Sequence, residues 1–155
     1  MKLDVGCGPF KKEGFLGVDI DATCAPDIVA PMWDIPLPDD SVTELVSSHA
    51  LEHVGKFEVV PTLKEWRRLL KPGGLATIEV PDFEWCLKNW LWRKSTDWHL
   101  DTIFGQQTNV GEYHKTGFTY DIMLGYLAEA QLVLAAFDVI ESHGQPTLVF
   151  IVRKL

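Results

Sequence analysis

Residues 3–9 read Leu-Asp-Val-Gly-Cys-Gly-Pro, and residues 17–19 read Gly-Val-Asp. An apolar run that ends at Gly6 and Gly8 is typical of a strand followed by a tight loop, because glycine lets the backbone approach a ligand that a side chain would block. The second stretch is a strand that ends at Asp19, whose carboxylate can accept hydrogen bonds from both hydroxyls of a ribose. Together the two stretches predict a glycine loop and a carboxylate at the carboxyl ends of two strands.

The rest of the chain alternates strand patterns with helical or loop segments, and this order predicts an α/β fold with a mainly parallel sheet. The predicted strands lie at 3–5, 15–18, 27–30, 44–46, 75–80, 133–140 and 147–152. Helices are predicted from about residue 50, over 61–70 and over 123–130, with a turn at 71–74. The polar segment 141–146 indicates an antiparallel hairpin. We therefore predict one domain over residues 1–155, with a Rossmann-like, mainly parallel seven-stranded sheet and a C-terminal antiparallel hairpin.

The composition excludes several classes of protein. The formal net charge is −8, from 22 acidic and 14 basic residues, and this charge would repel a nucleic-acid backbone. No segment approaches the ~20 apolar residues of a membrane-spanning helix, and the N-terminus reads directly into a strand without a secretory leader. The three cysteines are odd in number and scattered, which favours a reducing compartment. We expect a cytoplasmic protein that binds neither nucleic acid nor membranes.

Five stretches, in order along the chain, resemble the motifs of the class I S-adenosylmethionine-dependent methyltransferases, in particular small members similar to the type 11 group. They are residues 3–9, 17–19, 35–39, 47–53 and 65–74, and the similarity extends over nearly the whole chain. Each stretch alone is a modest signal, whereas five in the family's order are specific. The resemblance implies a Rossmann-like fold, S-adenosylmethionine as the cofactor and methyltransferase activity.

The resemblance also implies a set of cofactor contacts. The implied cofactor-binding residues are Asp4, Gly6, Cys7, Gly8, Asp19, Ile20, Met32, Trp33, Ser48 and His49. Asp19 is expected to bind the ribose, with Asp21 as an alternative, and Asp4 to hold the amino group. The backbone of Met32 and the ring face of Trp33 are expected beside the adenine.

Two features depart from the family's pattern. Asp19 follows Gly6 by 13 positions, fewer than the ~20 between the glycine loop and the ribose acid of related folds. The first crossover helix is therefore predicted to be shortened or absent. The acid that often contacts adenine is replaced by Pro31, four positions before Ile35, so adenine recognition has to use other groups.

Residues 49–53, His-Ala-Leu-Glu-His, also match the inverted zinc-protease string His-x-x-Glu-His. On one continuous helix His49 and His53 would share a face, and Glu52 could polarise a zinc-bound water. The strand predicted just before His49 argues against such a helix. A zinc hydrolase is therefore an alternative function, and the leading interpretation contains no metal ligand.

The stretch from about 83 to 118 is predicted to be an elaboration on the substrate side of the domain, rich in aromatic and polar residues. Gln107, Tyr113 and His114 are candidate substrate-binding residues, because they can supply hydrogen bonds just before the last helix. His114 is the first candidate for a general base and His49 the second, because an imidazole can transfer a proton near neutral pH.

These observations predict methyl transfer from S-adenosylmethionine to an oxygen or nitrogen atom of a small polar metabolite or saccharide. A non-catalytic S-adenosylmethionine-binding module with a regulatory or scaffold role is a second hypothesis. No segment before Leu3 can form the N-terminal lid of many relatives. We therefore expect a homodimer, in which the second subunit completes the acceptor site.

Overall fold

The computed structural model describes residues 1–93, 97–108 and 110–155. Its strands are β1 (Lys2–Val5), β2 (Leu16–Asp19), β3 (Ile28–Val29), β4 (Val42–Ser48), β5 (Leu70–Pro81), β6 (Val133–Ser142) and β7 (Gln145–Arg153). Its α-helices are α1 (Val59–Leu69), α2 (Phe83–Arg93), α3 (Asp97–Phe104) and α4 (Tyr120–Glu129). In the described part of the chain, no helix is long and apolar enough to cross a lipid bilayer.

The seven strands form one sheet in the order β3-β2-β1-β4-β5-β7-β6. Neighbouring strands among β1 to β5 are parallel, whereas β7 is antiparallel to both β5 and β6. The predicted sheet and its C-terminal hairpin are therefore confirmed. The strand order reverses between β1 and β4, and open parallel sheets bind ligands at such a switch point, beyond the carboxyl ends of the strands.

The connection between β1 and β2 confirms that the first crossover helix is absent. Residues 6–15, all within the described part of the chain, form turns and bends without a helix. The backbone N–H of Lys12 donates to Asp4 Oδ2 at 2.7 Å, and Lys11 Nζ lies 2.8 Å from Asp27 Oδ2. These contacts hold the short connection against the sheet, so the loop that follows β1 lies directly beside the end of β2.

The predicted turn at 71–74 lies inside β5 as an interruption of its pairing with β4. Leu70 pairs with Val42 and Leu75 pairs with Glu44, so the four residues between them leave the register with β4, while the backbones of Gly73 and Gly74 bond to Lys154. Gly73 has a φ of 78°, in the left-handed region that favours glycine. The turn therefore shapes the start of β5 without ending it.

Helix α1 fixes the loop that follows β3. The Trp66 side chain is fully buried, and its Nε1 donates to the Met32 carbonyl at 3.0 Å. Arg68 donates to the carbonyls of Ile35 at 3.1 Å and Leu37 at 2.8 Å, and it pairs with Glu65 at 2.7 Å. These bonds fix the position of residues 32–37, of which Met32 and Trp33 line the candidate site.

Two helical regions differ from the sequence prediction. α2 and α3 occupy the stretch that begins at residue 83, where the sequence pattern predicts no helix. α2 buries Cys86 but exposes Trp90, Leu91 and Trp92, so its apolar side chains surround the helix and give no stripe that a periodicity search can detect. The helix predicted from about residue 50 is only a 3₁₀ turn, Leu51–His53.

Candidate active site

A cavity of about 620 Å³ lies beyond the carboxyl ends of β1, β2 and β4. The loop after β1 contributes Gly6 and Gly8, the end of β2 contributes Asp19, and the loop after β3 contributes Met32 and Trp33. We call this space the glycine cavity. Its position at the switch point is the one expected for a ligand of an open parallel sheet.

Gly6 lies where no other residue would fit. Its φ is 72°, and a Cβ at this position would lie 2.3 Å from the Cβ of Ala50. The Gly6 N–H donates to the carbonyl of Val18 at 2.8 Å, which ties the loop to the end of β2. Gly8 is also left-handed, with a φ of 51°, but a Cβ there would meet no atom within 4 Å. The close approach of the loop therefore depends on Gly6 in particular.

We expect Gly6→Ala to lower both the free energy of unfolding and the affinity for S-adenosylhomocysteine, because Ala50 and the loop must move apart. The left-handed backbone alone costs about 1–2 kcal/mol for an L-residue, and the displacement adds to this cost. Gly14→Ala is the matched control, since its φ is 80° and a Cβ there meets nothing within 4 Å. Urea denaturation and calorimetry should show the larger loss for Gly6→Ala. Equal losses in both variants would contradict the steric argument.

The carboxylate of Asp19 retains hydrogen-bonding capacity for a ligand. The backbone N–H of Gly8 donates to Oδ2 at 2.8 Å, and that of Asp21 donates to Oδ1 at 2.9 Å. A carboxylate has about four acceptor sites, so each oxygen of Asp19 can accept another bond. The carboxylate of Asp21 instead caps the next turn through Thr23. Asp19, rather than Asp21, is therefore the acid at the end of β2 that can accept hydrogen bonds from a pair of hydroxyls.

The glycine cavity brings together most of the residues predicted to bind the cofactor. Those on its wall are Gly6, Gly8, Asp19, Ile20, Met32, Trp33 and His49. The residues Asp4, Cys7 and Ser48 do not line it. Asp4 accepts the backbone bond from Lys12, burial raises the pKa of its carboxyl, and Ser48 Oγ donates to Glu79 Oε2 at 2.6 Å.

Cys7 has no thiol chemistry to offer in this position. Its side chain is buried, and burial raises the pKa of the thiol to about 11. The thiol is therefore protonated near neutral pH, and the thiolate is the nucleophilic form. For Asp4, Cys7 and Ser48, contact with the cofactor stays a prediction.

A second cavity, of about 470 Å³, adjoins the first. Polar side chains dominate its wall, and they include His49, Glu52, His53, Asp101, Glu112, His114 and His143. We call this space the histidine cavity. Pro9, His49, His53 and Glu112 line both cavities. A ligand in one cavity can therefore meet a ligand in the other along this shared wall.

His49 lies on the shared wall in a constrained conformation. Its φ is 50°, which is uncommon for a residue other than glycine, and its N–H donates to the Glu79 carbonyl at 2.9 Å. The ring Nε2 lies 3.2 Å from Thr147 Oγ1, and Nδ1 lies 3.6 Å from Glu52 Oε1. The chain thus turns sharply at the end of β4 and directs the imidazole between the two cavities.

Backbone hydrogen bonds bring His114 to the wall of the histidine cavity, where Glu52 also lies. The N–H groups of Lys115 and Thr116 donate to the Glu52 carbonyl at 2.8 and 3.1 Å, and the His114 N–H donates to the Phe104 carbonyl at 2.9 Å. Burial lowers the pKa of His114, against the opposing effect of the Glu52 carboxylate. His114 therefore lies close to Glu52. Its lowered pKa favours the neutral form of the imidazole.

The other two candidate substrate residues lie away from this cavity. Gln107 and Tyr113 are exposed and are not on the wall of either cavity, although the Tyr113 carbonyl lies 3.1 Å from His53 Nδ1. Gln106 lines the histidine cavity instead of its neighbour. The sequence also failed to identify Asp101 of α3, because no recognised motif surrounds it.

The single helix that the zinc-protease alternative requires is not formed. His49 follows the end of β4, whereas Glu52 and His53 belong to the 3₁₀ turn Leu51–His53. The two histidines therefore do not lie one turn apart on a continuous helix. Ligands for a metal ion would have to come from another arrangement of these side chains.

Comparisons with known proteins agree with this geometry. A family model described as a methyltransferase domain matches residues 3–78, which include the glycine loop, Asp19 and His49. An S-adenosylmethionine-dependent methyltransferase of Methanosarcina mazei has a similar structure, with a TM-score of 0.75 and a sequence identity of 21%. The match covers 99% of this chain and 92% of that chain. No match was found among curated protein sequences.

A second similar structure contains ligands. It is the 1,6-didemethyltoxoflavin-N1-methyltransferase of Burkholderia thailandensis, with bound 1,6-didemethyltoxoflavin and S-adenosylhomocysteine. Its TM-score is 0.68, with 15% identity over 99% of this chain and 70% of that chain. At these identities the two structures establish a shared fold.

Proposed function

We propose that the chain is a class I S-adenosylmethionine-dependent methyltransferase and that it methylates an oxygen or nitrogen atom of a small polar metabolite or saccharide. The observation that carries this proposal is the meeting of the two cavities at His49. The glycine cavity suits the cofactor, and the adjoining histidine cavity suits a polar acceptor. Their shared wall is where the methyl group would pass from one ligand to the other.

The residues of the glycine cavity fit S-adenosylmethionine. Asp19 would bind the ribose hydroxyls with its remaining acceptor sites, while Met32 and Trp33 would flank the adenine. The methionine end would extend past Gly6 toward His49. When bound, the cofactor supplies a methyl group on a positively charged sulfur, which keeps the electron pair of the broken bond when the acceptor's lone pair bonds to the methyl carbon.

His49 is the residue that we assign to the acceptor's proton. It lines both cavities, whereas His114 lines the histidine cavity without reaching the glycine cavity. The Nε2 of His49 lies 3.2 Å from Thr147 Oγ1, whereas its Nδ1 lies 3.6 Å from Glu52 Oε1, too far for a hydrogen bond, so we assign the acceptor's proton to Nδ1. His114 is better placed to bind the acceptor within the histidine cavity. For a hydroxyl acceptor, the proton lost as the new bond forms would go to His49.

Two expectations about the whole protein belong to the same proposal. We propose a homodimer, because α2 exposes Trp90, Leu91 and Trp92, and exposed aromatic residues are enriched in subunit contacts. We also propose a cytoplasmic location, because Cys7, Cys24 and Cys86 are free thiols. Light scattering would test the first expectation, and a monomer at micromolar concentration would contradict it.

The proposed reaction is tested by a screen of polar metabolites and sugars for release of S-adenosylhomocysteine. We expect turnover with at least one acceptor class and transfer of isotope-labelled methyl to its oxygen or nitrogen atom. Firm cofactor binding with no turnover across hydroxyl, amine and saccharide acceptors would instead favour a regulatory or scaffold role. Methylation of a carbon atom would also contradict the proposal.

A further inference from the structure

Glu52 is a buried carboxylate without a hydrogen-bond partner. It is 2% exposed, and neither of its side-chain oxygens has a partner among the described residues. The ring of His49 is close by, but its Nδ1 lies 3.6 Å from Oε1, too far for a hydrogen bond. Burying an ionised carboxylate in this way is costly. Because Glu52 also lines the histidine cavity, a ligand in that cavity could supply the missing partner.

Two histidines complete a compact group around this carboxylate. Glu52, His53 and His114 each offer one ligand atom, and these atoms all lie within 4.8 Å of one another. The imidazole rings of His53 and His114 are 5.0 Å apart between centroids and inclined at 70°. Two imidazoles and a carboxylate are the ligand set of several catalytic zinc sites and of non-haem iron sites.

The hydrogen bonds of the two histidines favour this role. Nδ1 of His53 lies 3.1 Å from the Tyr113 carbonyl and must donate to it, because a carbonyl only accepts. A ring nitrogen of His114 likewise donates to the Thr102 backbone. Metal-binding histidines typically donate their second ring N–H to a carbonyl or carboxylate, which fixes the tautomer and directs the other nitrogen to the ion. Each of these histidines therefore keeps one nitrogen lone pair available.

We propose that Glu52, His53 and His114 bind a divalent transition metal ion of the zinc type in the histidine cavity. The inference rests on the proposed function in one respect: the open coordination positions would hold an oxygen or nitrogen atom of the methyl acceptor. The sequence predicted no metal ligand, because the string that contains Glu52 and His53 pairs them with His49. The fold replaces His49 by His114, which comes from a different loop.

The ion would draw the three side chains together. With bond lengths near 2.0–2.2 Å, the ligand atoms of a tetrahedral zinc site lie roughly 3.3–3.6 Å apart. The present spacing of up to 4.8 Å therefore requires each side chain to move by less than about 1 Å. Such an ion would supply the partner that Glu52 lacks and would hold the acceptor close to His49, whose Nδ1 lies 3.6 Å from Glu52 Oε1.

The test is a Co²⁺ titration of the untagged chain of residues 1–155 after removal of metals with EDTA. We expect one equivalent of Co²⁺ to bind, with the visible absorption of a four- or five-coordinate ion. Glu52→Gln and His114→Gln should each weaken Co²⁺ binding by at least about 100-fold, since even outer partners of metal ligands contribute 10–100-fold. His143→Gln is the matched control, because His143 lines the same cavity but lies outside the group. Its Co²⁺ affinity should equal that of the wild type.

A second measurement distinguishes loss of the metal site from failure of a variant to fold. Zn²⁺ should raise the melting temperature of the wild type and of His143→Gln, but not that of Glu52→Gln. Failure of the wild type to bind Co²⁺ at submillimolar concentration would overturn the proposal, and so would equal affinities in all variants. S-adenosylhomocysteine calorimetry on the same EDTA-treated protein reports the cofactor site separately. Cofactor binding without Co²⁺ binding would therefore refute the metal site alone.

Discussion

His49→Asn should lower the turnover number with a hydroxyl acceptor by roughly 10²–10⁴-fold, the range for loss of a positioned acid–base group. Asparagine tolerates the left-handed backbone at this position better than most residues, and its amide takes the place of Nδ1 but cannot take up a proton. The affinity for S-adenosylhomocysteine should change by less than about tenfold. Steady-state kinetics and calorimetry on the same preparation separate the two effects.

His143→Asn is the matched control for this substitution. His143 lines the histidine cavity, has a φ of 54° and packs against His49 with ring centroids 4.8 Å apart. The two variants therefore share the chemical change, the backbone region and the cavity. We expect the turnover number of His143→Asn to stay within about threefold of the wild type. If both variants lose turnover equally, or if His49→Asn keeps it, His49 does not take the acceptor's proton.

Asp19→Ala should weaken S-adenosylhomocysteine binding by about 1.5–3 kcal/mol, the usual range for hydrogen bonds to a charged group. This loss corresponds to roughly 10- to 150-fold in the dissociation constant. Asp21→Ala should have a smaller effect, because the carboxylate of Asp21 already caps the turn through Thr23. Calorimetric titration of both variants measures the difference directly.

Asp19 also supports the glycine loop, so the fold of its variant needs a control. Asp19→Asn keeps one acceptor oxygen for Gly8 or for a ribose hydroxyl and should lose less affinity than Asp19→Ala. Circular dichroism and thermal melting should show that all the variants remain folded. A larger loss of affinity in Asp21→Ala than in Asp19→Ala, with both variants folded, would show that Asp21 and not Asp19 binds the ribose.

The glycine cavity could be predicted from the sequence because its central features are local. Gly6, Gly8 and Asp19 each follow a short strand, and strands that pair in parallel bring their carboxyl ends to one edge. The unusually short spacing between Gly6 and Asp19 also predicted a shortened or absent helix between the two strands, and the structure has none in the described residues 6–15.

Competition for hydrogen bonds explains why Asp4 and Ser48, which were predicted to bind the cofactor, do not line the glycine cavity. The carboxylate of Asp4 binds the backbone of Lys12, and the hydroxyl of Ser48 binds Glu79 from the neighbouring strand β5. Both partners depend on how the loop and the sheet are arranged. A motif identifies the residue type at a position, but it does not reveal which neighbour satisfies the side chain.

The histidine cavity depends on contacts between distant parts of the chain. The segment after His114 is joined to Glu52 by two backbone bonds, which no side-chain pattern reports. Gly105 permits the segment before His114 to approach the end of α3, since a Cβ there would lie 1.7 Å from the Glu112 carbonyl oxygen. The sequence could therefore identify His49, Glu52 and His114 individually, but it could not predict that they surround one space.

A crystal structure with S-adenosylhomocysteine tests the central claim most directly, because it shows where the sulfur lies relative to His49. The account predicts the ribose hydroxyls on Asp19, the adenine beside Met32 and Trp33, and the sulfur at the wall shared by the two cavities. The histidine cavity would remain open beside the sulfur for the acceptor. S-adenosylhomocysteine bound in the histidine cavity, or with its sulfur at the end of the glycine cavity remote from His49, would contradict the account.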